Sequence, residues 1–288
     1  MFDALLGPFA EFEFMQRALV GVLAIALGGG PVGVFLMLRR MSLTGDAMAH
    51  AILPGAAVGY LVAGLSLPAM TFGGLVAGVV VAVLSGLVAR LTVLKEDASL
   101  AAFYLVSLAL GVVIVSLRGS NVDLLRVLFG TVLSLDDASL ILLAGIASVT
   151  LATLALIFRP LVMECVDPLF LRSVSRAGTP THLIFLSLVV LNLVGGFQAL
   201  GTLLAVGLMM LPAAAARFWS ADVTVMILLA TLVGMGSGAA GLLMSFHAEW
   251  PAGPAIILAA GAVYIFSLFF GREGGLLWLA WSGRHLEA

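Results

Sequence analysis

Charged residues are scarce in this sequence. Asp, Glu, Lys and Arg make up only 10% of its 288 residues, whereas 62% are hydrophobic, and the mean hydropathy is +1.23. A soluble domain typically carries about 25% charged residues, because its surface must be solvated. A soluble fold of this length has no interior large enough for so many apolar side chains. The composition therefore predicts an all-α, polytopic membrane helix bundle that forms one transmembrane domain over residues 1–288.

Features of several other protein classes are also missing. The single cysteine, Cys165, excludes an internal disulfide, and we place it in a polar loop with a structural or incidental role. There is no block of basic residues and the net charge is −2, so nucleic acid is not an expected partner. The acidic start of the chain, MFDALLGPFAEFEF, lacks the basic segment of a signal peptide. We therefore expect the spans themselves to direct membrane insertion.

The motifs of ATP-binding and hydrolytic sites are absent as well. The sequence contains no G-x-x-x-x-G-K-[ST], no H-E-x-x-H and no G-x-S-x-G. An intramembrane hydrolase that uses Asp46 or His50 in catalysis therefore finds no support in these patterns.

Long apolar segments make up most of the chain. Nine of them are long enough to cross a bilayer core about 30 Å thick, although the shorter ones could also be re-entrant. They lie at residues 15–38, 43–65, 69–91, 98–117, 138–158, 182–198, 200–216, 222–245 and 254–270. The predicted architecture is therefore a bundle of about eight or nine transmembrane helices.

Positive charges are distributed unevenly between the two ends of these spans. Of the 13 Lys and Arg residues, ten fall on one side and three on the other. The first side holds Arg39, Arg40, Arg90, Lys95, Arg159, Arg172, Arg176, Arg217, Arg272 and Arg284, and the second holds Arg17, Arg118 and Arg126. Because Lys and Arg are enriched in cytoplasmic loops, the first side is predicted to be cytoplasmic.

The most polar loop, residues 159–181, lies on that cytoplasmic side. Within it, Asp167 and Pro168 are suited to the cap and first turn of a helix, and Gly178 is suited to end it. We therefore predict a helix of about ten residues over 167–178, outside the membrane. Its apolar side chains can be covered by its own bundle or the lipid interface, or the helix can dock on a separate ATPase.

Asp46 and His50 are ionisable residues in the otherwise apolar segment RRMSLTGDAMAHAILPGAAVGYLVAG. An aspartate at mid-helix costs roughly 2.5–3.5 kcal/mol on insertion scales, which a bound cation would offset. Residues four apart share one helical face, and oxygen and nitrogen donors suit a divalent transition metal. The alternatives are a helix N-cap for Asp46, favoured by its place at the cytoplasmic end of the span, and a buried neutral imidazole for His50.

Five segments in chain order carry a family resemblance. They are RRMSLTGDAMAHAILPG, LKEDASLAAFYLVSLALGVVIVSL, VLFGTVLSL, VDPLFLRSVSRAG and GTLLAVGLMMLPAAAAR. Together they resemble the permease (transmembrane) subunits of the zinc/manganese metal-ion ABC importers. His247 and Glu249, in SFHAEWPAG, depart from that pattern, and either collect metal near the entrance or are merely solvated.

This resemblance implies a multi-pass permease of the bacterial cytoplasmic (inner) membrane that transports Zn²⁺ or Mn²⁺ and is not itself an enzyme. It implies a homodimer, or a pseudo-dimer with a paralogue, with ATP-binding ABC subunits inside and an extracytoplasmic metal-binding protein outside. Asp46 and His50 would line the ion path, and no cofactor would be permanently bound. The coupling helix would contact the ATPase through Asp167, Arg172, Arg176 and Gly178.

Two other transport functions are compatible with these features. One is an ABC permease for a siderophore or cobalamin, whose bulky ligand would not need an Asp/His pair. The other is a proton-driven secondary metal carrier, which would work without an ATPase.

Overall fold

The computed structural model describes residues 2–41, 44–64, 66–91, 96–117, 132–167, 170–171, 173, 175 and 177–281. Within these residues the chain forms twelve α-helices and no strand. The helices are α1 (Phe2–Glu11), α2 (Glu13–Leu38), α3 (Thr44–Ala51), α4 (Leu53–Ala63), α5 (Leu67–Leu91), α6 (Glu96–Leu117), α7 (Asp137–Val166), α8 (Gly178–Leu200), α9 (Thr202–Arg217), α10 (Val223–Ala248), α11 (Ala252–Phe270) and α12 (Leu276–Trp281).

The prediction of an all-α bundle with about eight or nine spans is confirmed. In the described part of the chain, seven helical segments are long and apolar enough to cross a membrane, and two shorter apolar stretches, 98–111 and 202–217, occupy the remaining predicted positions. Large apolar side chains on the outer surface, such as Val62 and Leu156, are more than four-fifths exposed. Such side chains are expected to face lipid. The short helices α1 and α12 were not predicted.

Helix α7 is longer than its predicted span of 138–158. It has 30 residues and continues to Val166, so at 1.5 Å per residue it is roughly 45 Å long and exceeds the bilayer core. Cys165 consequently lies in the last turn of α7 and is partly buried. Its predicted place in a polar loop is wrong, because the helix does not end at Arg159 or Pro160.

Helices α2 and α8 form the centre of the bundle. Most of each is buried, and α2 packs against α7, α8, α9 and α10. At Gly33 the backbone of α2 meets that of α9, since a Cβ on Gly33 would lie 1.8 Å from the carbonyl oxygen of Met209. Only glycine permits this approach, as expected where helices pack closely in lipid.

Helices α4 and α5 meet through small residues spaced four apart. A Cβ on Gly55 would lie 2.0 Å from the carbonyl oxygen of Gly73, and one on Gly73 would lie 2.1 Å from that of Gly55. One turn further along, a Cβ on Gly59 would lie 2.4 Å from the carbonyl oxygen of Ala69. The two backbones are therefore in direct contact along a small-xxx-small surface on each helix.

The ends of α2 and α7 fit the predicted orientation. At one end, Arg17 pairs with Glu13 at 2.7 Å and with Asp137 at 3.2 Å. At the other end, Arg39 lies 3.6 Å from Glu164. The two helices are thus parallel, as they must be if both run from outside to the cytoplasm.

The outer end of α7 carries a regular helix cap. Asp136 precedes the helix, and its carboxylate accepts a hydrogen bond of 2.9 Å from the Ser139 amide. Hydrogen bonds from the hydroxyl and amide of Ser139 hold the pKa of Asp136 below its usual value, because they favour the charged carboxylate.

A Schellman turn closes the inner end of α2. The Met41 amide donates to the Leu36 carbonyl at 2.9 Å and the Arg40 amide to that of Met37 at 3.0 Å. Arg40 has φ = 59°, in the left-handed region that favours glycine. Met41 is buried in the same core cluster as Leu36, which completes the motif.

We expect Arg40→Gly to raise the stability of the folded chain by about 1 kcal/mol, because glycine adopts positive φ without the steric penalty. The measurement is the thermal unfolding midpoint in detergent. Arg40→Ala is the matched control, since it removes the same charge but keeps a Cβ. Equal midpoints for the two variants would contradict the prediction.

Candidate metal-binding site

Span two is interrupted near the middle of its predicted range, 43–65. Instead of one helix over 43–65, the chain forms α3 and then α4, with Ile52 in the turn between them. The reason is Pro54, which has no amide hydrogen to donate to the His50 carbonyl. The neighbouring Ala51 carbonyl accepts a hydrogen bond of 2.8 Å from the Ser107 hydroxyl on α6. The Ser107 side chain thus supplies a hydrogen-bond donor to a backbone carbonyl at the break. Such partners are needed in a membrane, because lipid offers no hydrogen bonds.

Asp46 and His50 lie on one face of α3, as predicted from their spacing. His50 Nε2 is 3.9 Å from Asp46 Oδ1, and the side chains are 31% and 71% exposed, respectively. The His50 ring also lies beside that of Tyr104 on α6, with 6.3 Å between centroids. Met48, between them in sequence, is fully buried. The pair therefore presents an oxygen and a nitrogen donor on an open surface, while the other face of α3 packs into the bundle.

The position of Asp46 does not match a helix N-cap. Asp46 is the third residue of α3, which begins at Thr44. Thr44 is itself fully buried, and the adjacent Gly45 packs against Val206 and Met209, near the middle of α9. Helix α3 therefore starts inside the bundle, not at its cytoplasmic surface. A carboxylate at this depth needs a partner charge or a cation.

The pair alone does not complete a metal site. Among the described residues, no group of three or more His, Cys, Asp or Glu side chains could hold a metal ion. A divalent transition metal takes four to six ligands, whereas this pair offers two candidate donors. Because the Asp46 carboxylate is mostly exposed, the missing ligands have space to come from outside this chain.

Sequence reasoning missed two residues beside the pair, Tyr104 and Ser107. They are three apart on α6, so they share a face, and α6 packs against both α3 and α4. The available signal was a tyrosine and a serine at helical spacing within an apolar run. That signal does not say which helix they meet.

His247 and Glu249 lie at the other side of the bundle, where α10 ends. Both side chains are exposed. The His247 Nδ1 atom is 2.9 Å from the Leu243 carbonyl oxygen, so it donates a hydrogen bond there. One of the two ring nitrogens is thereby occupied by the helix.

The predicted coupling segment is partly described. Asp167 Oδ1 accepts a hydrogen bond of 2.8 Å from the Phe170 amide, as a cap does. The Leu171 amide then donates to the Asp167 carbonyl and the Ser175 amide to that of Leu171, at 3.1 and 2.9 Å. Leu171 is buried, whereas Phe170 is 49% exposed. Arg172 and Arg176 lie outside the described residues.

Gly178 does not end the coupling helix as predicted, because it is the first residue of α8. Ala177 before it has helical backbone angles, φ = −73° and ψ = −18°, so the chain passes directly into the next helix. Pro180 falls in the first turn of α8, where its missing amide hydrogen removes no helical hydrogen bond. Span six therefore begins four residues before its predicted start at 182.

Comparisons with known proteins follow the whole length of this fold. The sequence profile of the ABC 3 transport family matches residues 11–271. The chain is 31% identical over 264 residues to the manganese import system permease protein ScaB of Streptococcus gordonii, covering 91% of this chain and 93% of that protein. It is 30% identical over 287 residues to the manganese transport system membrane protein MntC of Halalkalibacterium halodurans, covering 99% and 96%.

A solved structure has the same architecture. It is described as PsaBC from Streptococcus pneumoniae in complex with Fab, and one of its chains superposes on this one with a TM-score of 0.84 at 28% identity. The superposition covers 97% of this chain and 100% of that chain.

Proposed function

The chain belongs to the ABC 3 transport family, and we propose that it is the membrane-spanning permease of a manganese importer. As a transport permease subunit it is not an enzyme. The sequence has no ATP-binding P-loop, so ATP hydrolysis must come from a separate subunit. The remaining partner is an extracytoplasmic metal-binding protein. The site of action is the bacterial cytoplasmic membrane, with residues 1–288 acting as one permease domain.

The single observation that carries this proposal is the Asp46/His50 pair on the open face of α3. The two donors are 3.9 Å apart and do not complete a metal site alone among the described residues. Two copies of the chain related by a two-fold axis would bring together two carboxylates and two imidazoles. Such a homodimer buries the exposed carboxylates and supplies four ligands for the passing ion.

Mn²⁺ is the proposed cargo rather than Zn²⁺. The relatives named above carry manganese in their names. Carboxylate and water oxygens suit Mn²⁺ in octahedral sites, whereas Zn²⁺ takes four ligands and accepts thiolates readily. Four protein donors and two water molecules make six ligands, and the one cysteine, Cys165, lies on α7 and not on α3.

The test is uptake of radioactive Mn²⁺ into proteoliposomes that hold this chain, its ATPase and ATP, with the binding protein added outside. We expect uptake only with the complete set and expect equimolar Zn²⁺ to be carried more slowly. Uptake by the chain alone under a proton gradient would indicate a secondary carrier. Uptake of a siderophore or cobalamin, but not of free Mn²⁺, would indicate the other type of ABC permease.

The segment 167–178 is proposed to be the coupling helix that contacts the ATPase. It begins at the Asp167 cap and exposes Phe170, which fits an apolar groove on a partner. Gly178 contributes as the first residue of α8, which connects the segment to the membrane.

Reversing the charge of Arg172 and Arg176 in this segment should weaken ATPase association about tenfold. The new acidic side chains would repel the acidic groups of the ATPase that the arginines attract, and like charges across an interface are unfavourable. The measurement is co-purification of the ATPase at increasing salt. Arg272→Glu is the control, since Arg272 is exposed on the same side but outside the segment. If the double variant recovered as much ATPase as the wild-type chain, the coupling role would be rejected.

A further inference from the structure

Three ionisable side chains form a buried cluster that the metal site does not use. Arg39 follows the end of α2, Glu164 lies in the last turn of α7 and His182 lies in the second turn of α8. Their side chains are 10%, 7% and 3% exposed. Arg39 Nη2 contacts His182 Nδ1 and is 3.6 Å from Glu164 Oε1, which is 3.8 Å from His182 Nδ1. The guanidinium also lies over the ring of Phe185.

The direction of the Arg39–His182 hydrogen bond follows from chemistry. A guanidinium has only donors and stays charged, so His182 Nδ1 must accept. The contact thus pairs a guanidinium donor with an imidazole acceptor, and Glu164 supplies the carboxyl group of the cluster.

The ion pair in this cluster is incomplete. Arg39 Nη1 and Glu164 Oε2 are buried and have no hydrogen-bond partner among the described residues. Buried polar atoms without partners are unfavourable, and a two-point Arg–carboxylate pair would satisfy both. Arg39 Nη2 and Glu164 Oε1 are 3.6 Å apart, so they need to approach by less than 1 Å to form one of its two hydrogen bonds. The cluster therefore has a second arrangement within short reach.

The cluster also lies where the predicted coupling segment joins the bundle. Glu164 is three residues before Asp167, and His182 is four residues after Gly178. Arg39 belongs to the Schellman turn from which the chain continues to α3, where Asp46 and His50 lie. Arg39 thus contacts both helices that flank the segment and belongs to the turn that precedes α3.

We propose that Arg39 is a positioning residue that couples movement of the inner ends of α7 and α8 to helix α3. In one state it donates to His182, as here, and in the other it forms the two-point pair with Glu164. This proposal rests on the proposed transport function, because coupling has meaning only if Asp46 and His50 carry the ion. A change in spacing between α7 and α8 decides which partner Arg39 holds.

The experiment compares variants in the full complex with ATPase and binding protein. Arg39→Met combined with Glu164→Met replaces the ion pair by apolar side chains, which buried sites commonly tolerate. Arg39→Lys keeps the charge but loses the two-point geometry. For each we measure assembly, ATP hydrolysis and Mn²⁺ transported per ATP. We expect assembly and hydrolysis to be retained and the transport ratio to fall at least about tenfold.

Arg17→Met is the matched control, because Arg17 pairs the opposite ends of α2 and α7. It should leave the transport ratio unchanged. A wild-type ratio in both Arg39 variants, or a parallel loss of assembly and hydrolysis in both, would overturn the coupling role and leave a structural one. A wild-type complex that imports no Mn²⁺ would instead overturn the proposed function.

Discussion

Alanine at Asp46 or His50 should reduce Mn²⁺ uptake by at least about 100-fold in the assembled complex. Loss of a residue that merely supports a metal ligand typically costs 10–100-fold, and each substitution here removes a ligand itself. In a two-fold symmetric dimer, one substitution removes two donors at once. The double variant should consequently be no worse than either single variant, because ligands of one site do not act independently. The measurement is initial uptake rate, with complex assembly checked on the same samples.

His247→Ala and Glu249→Ala are the matched controls for these variants. They remove the same chemical groups from exposed positions where α10 ends. We expect both variants to transport at wild-type rates. That result would also indicate that His247 and Glu249 are merely solvated and do not collect metal. Wild-type uptake by Asp46→Ala would reject the ion path proposed for α3.

The Asp46/His50 pair was within reach of the sequence because its geometry is local. Residues four apart share a face of any α-helix, and ionisable residues are conspicuous in an apolar run. The loss of a backbone hydrogen bond at Pro54 is equally local, and the structure breaks span two at Ile52. The acceptor at the break, which bonds to Ser107 of α6, depends on how two helices pack. Local pattern does not determine that.

The Arg39–Glu164–His182 cluster shows the same limit more clearly. These residues lie far apart in sequence and come together only because α2 and α7 are parallel and α8 starts beside them. Charge counting placed the neighbouring loops on one side of the membrane, but it carried no information about distances. The end of α7 was missed because Arg159 and Pro160 resemble a helix end, whereas the helix continues to Val166.

Glycine content is consistent with close helix packing in lipid, but it does not locate the helix contacts. The sequence has 33 glycines, and they do not share one environment. Gly33, Gly55 and Gly73 lie against backbone oxygens of neighbouring helices, whereas a Cβ added to Gly236 would meet no atom of the described residues within 4 Å. Glycines in different helices thus have different surroundings, and only the packing of the helices distinguishes them.

Gly55→Val should strongly destabilise the folded chain, because it disrupts the contact between α4 and α5. A Cβ there would lie 2.0 Å from the Gly73 carbonyl oxygen and 2.6 Å from the Ala77 Cβ. Two helix backbones would have to separate, which exceeds ordinary overpacking and should cost about 3 kcal/mol or more. Because only the turn at Ile52 separates α4 from α3, the separation should also displace His50. We expect loss of monodisperse protein in detergent and loss of Mn²⁺ uptake.

Gly236→Val is the matched control for Gly55→Val, because it introduces the same β-branched side chain into the middle of helix α10, at a position without close neighbours among the described residues. The intrinsic helix preference changes equally in the two variants, so only contact with a neighbouring helix distinguishes them. Gly236→Val should keep the wild-type unfolding midpoint and elution profile. If Gly55→Val also kept the wild-type midpoint and elution profile, the close approach of α4 and α5 at Gly55 would be contradicted. Close packing would then not account for the small residues on the two helices.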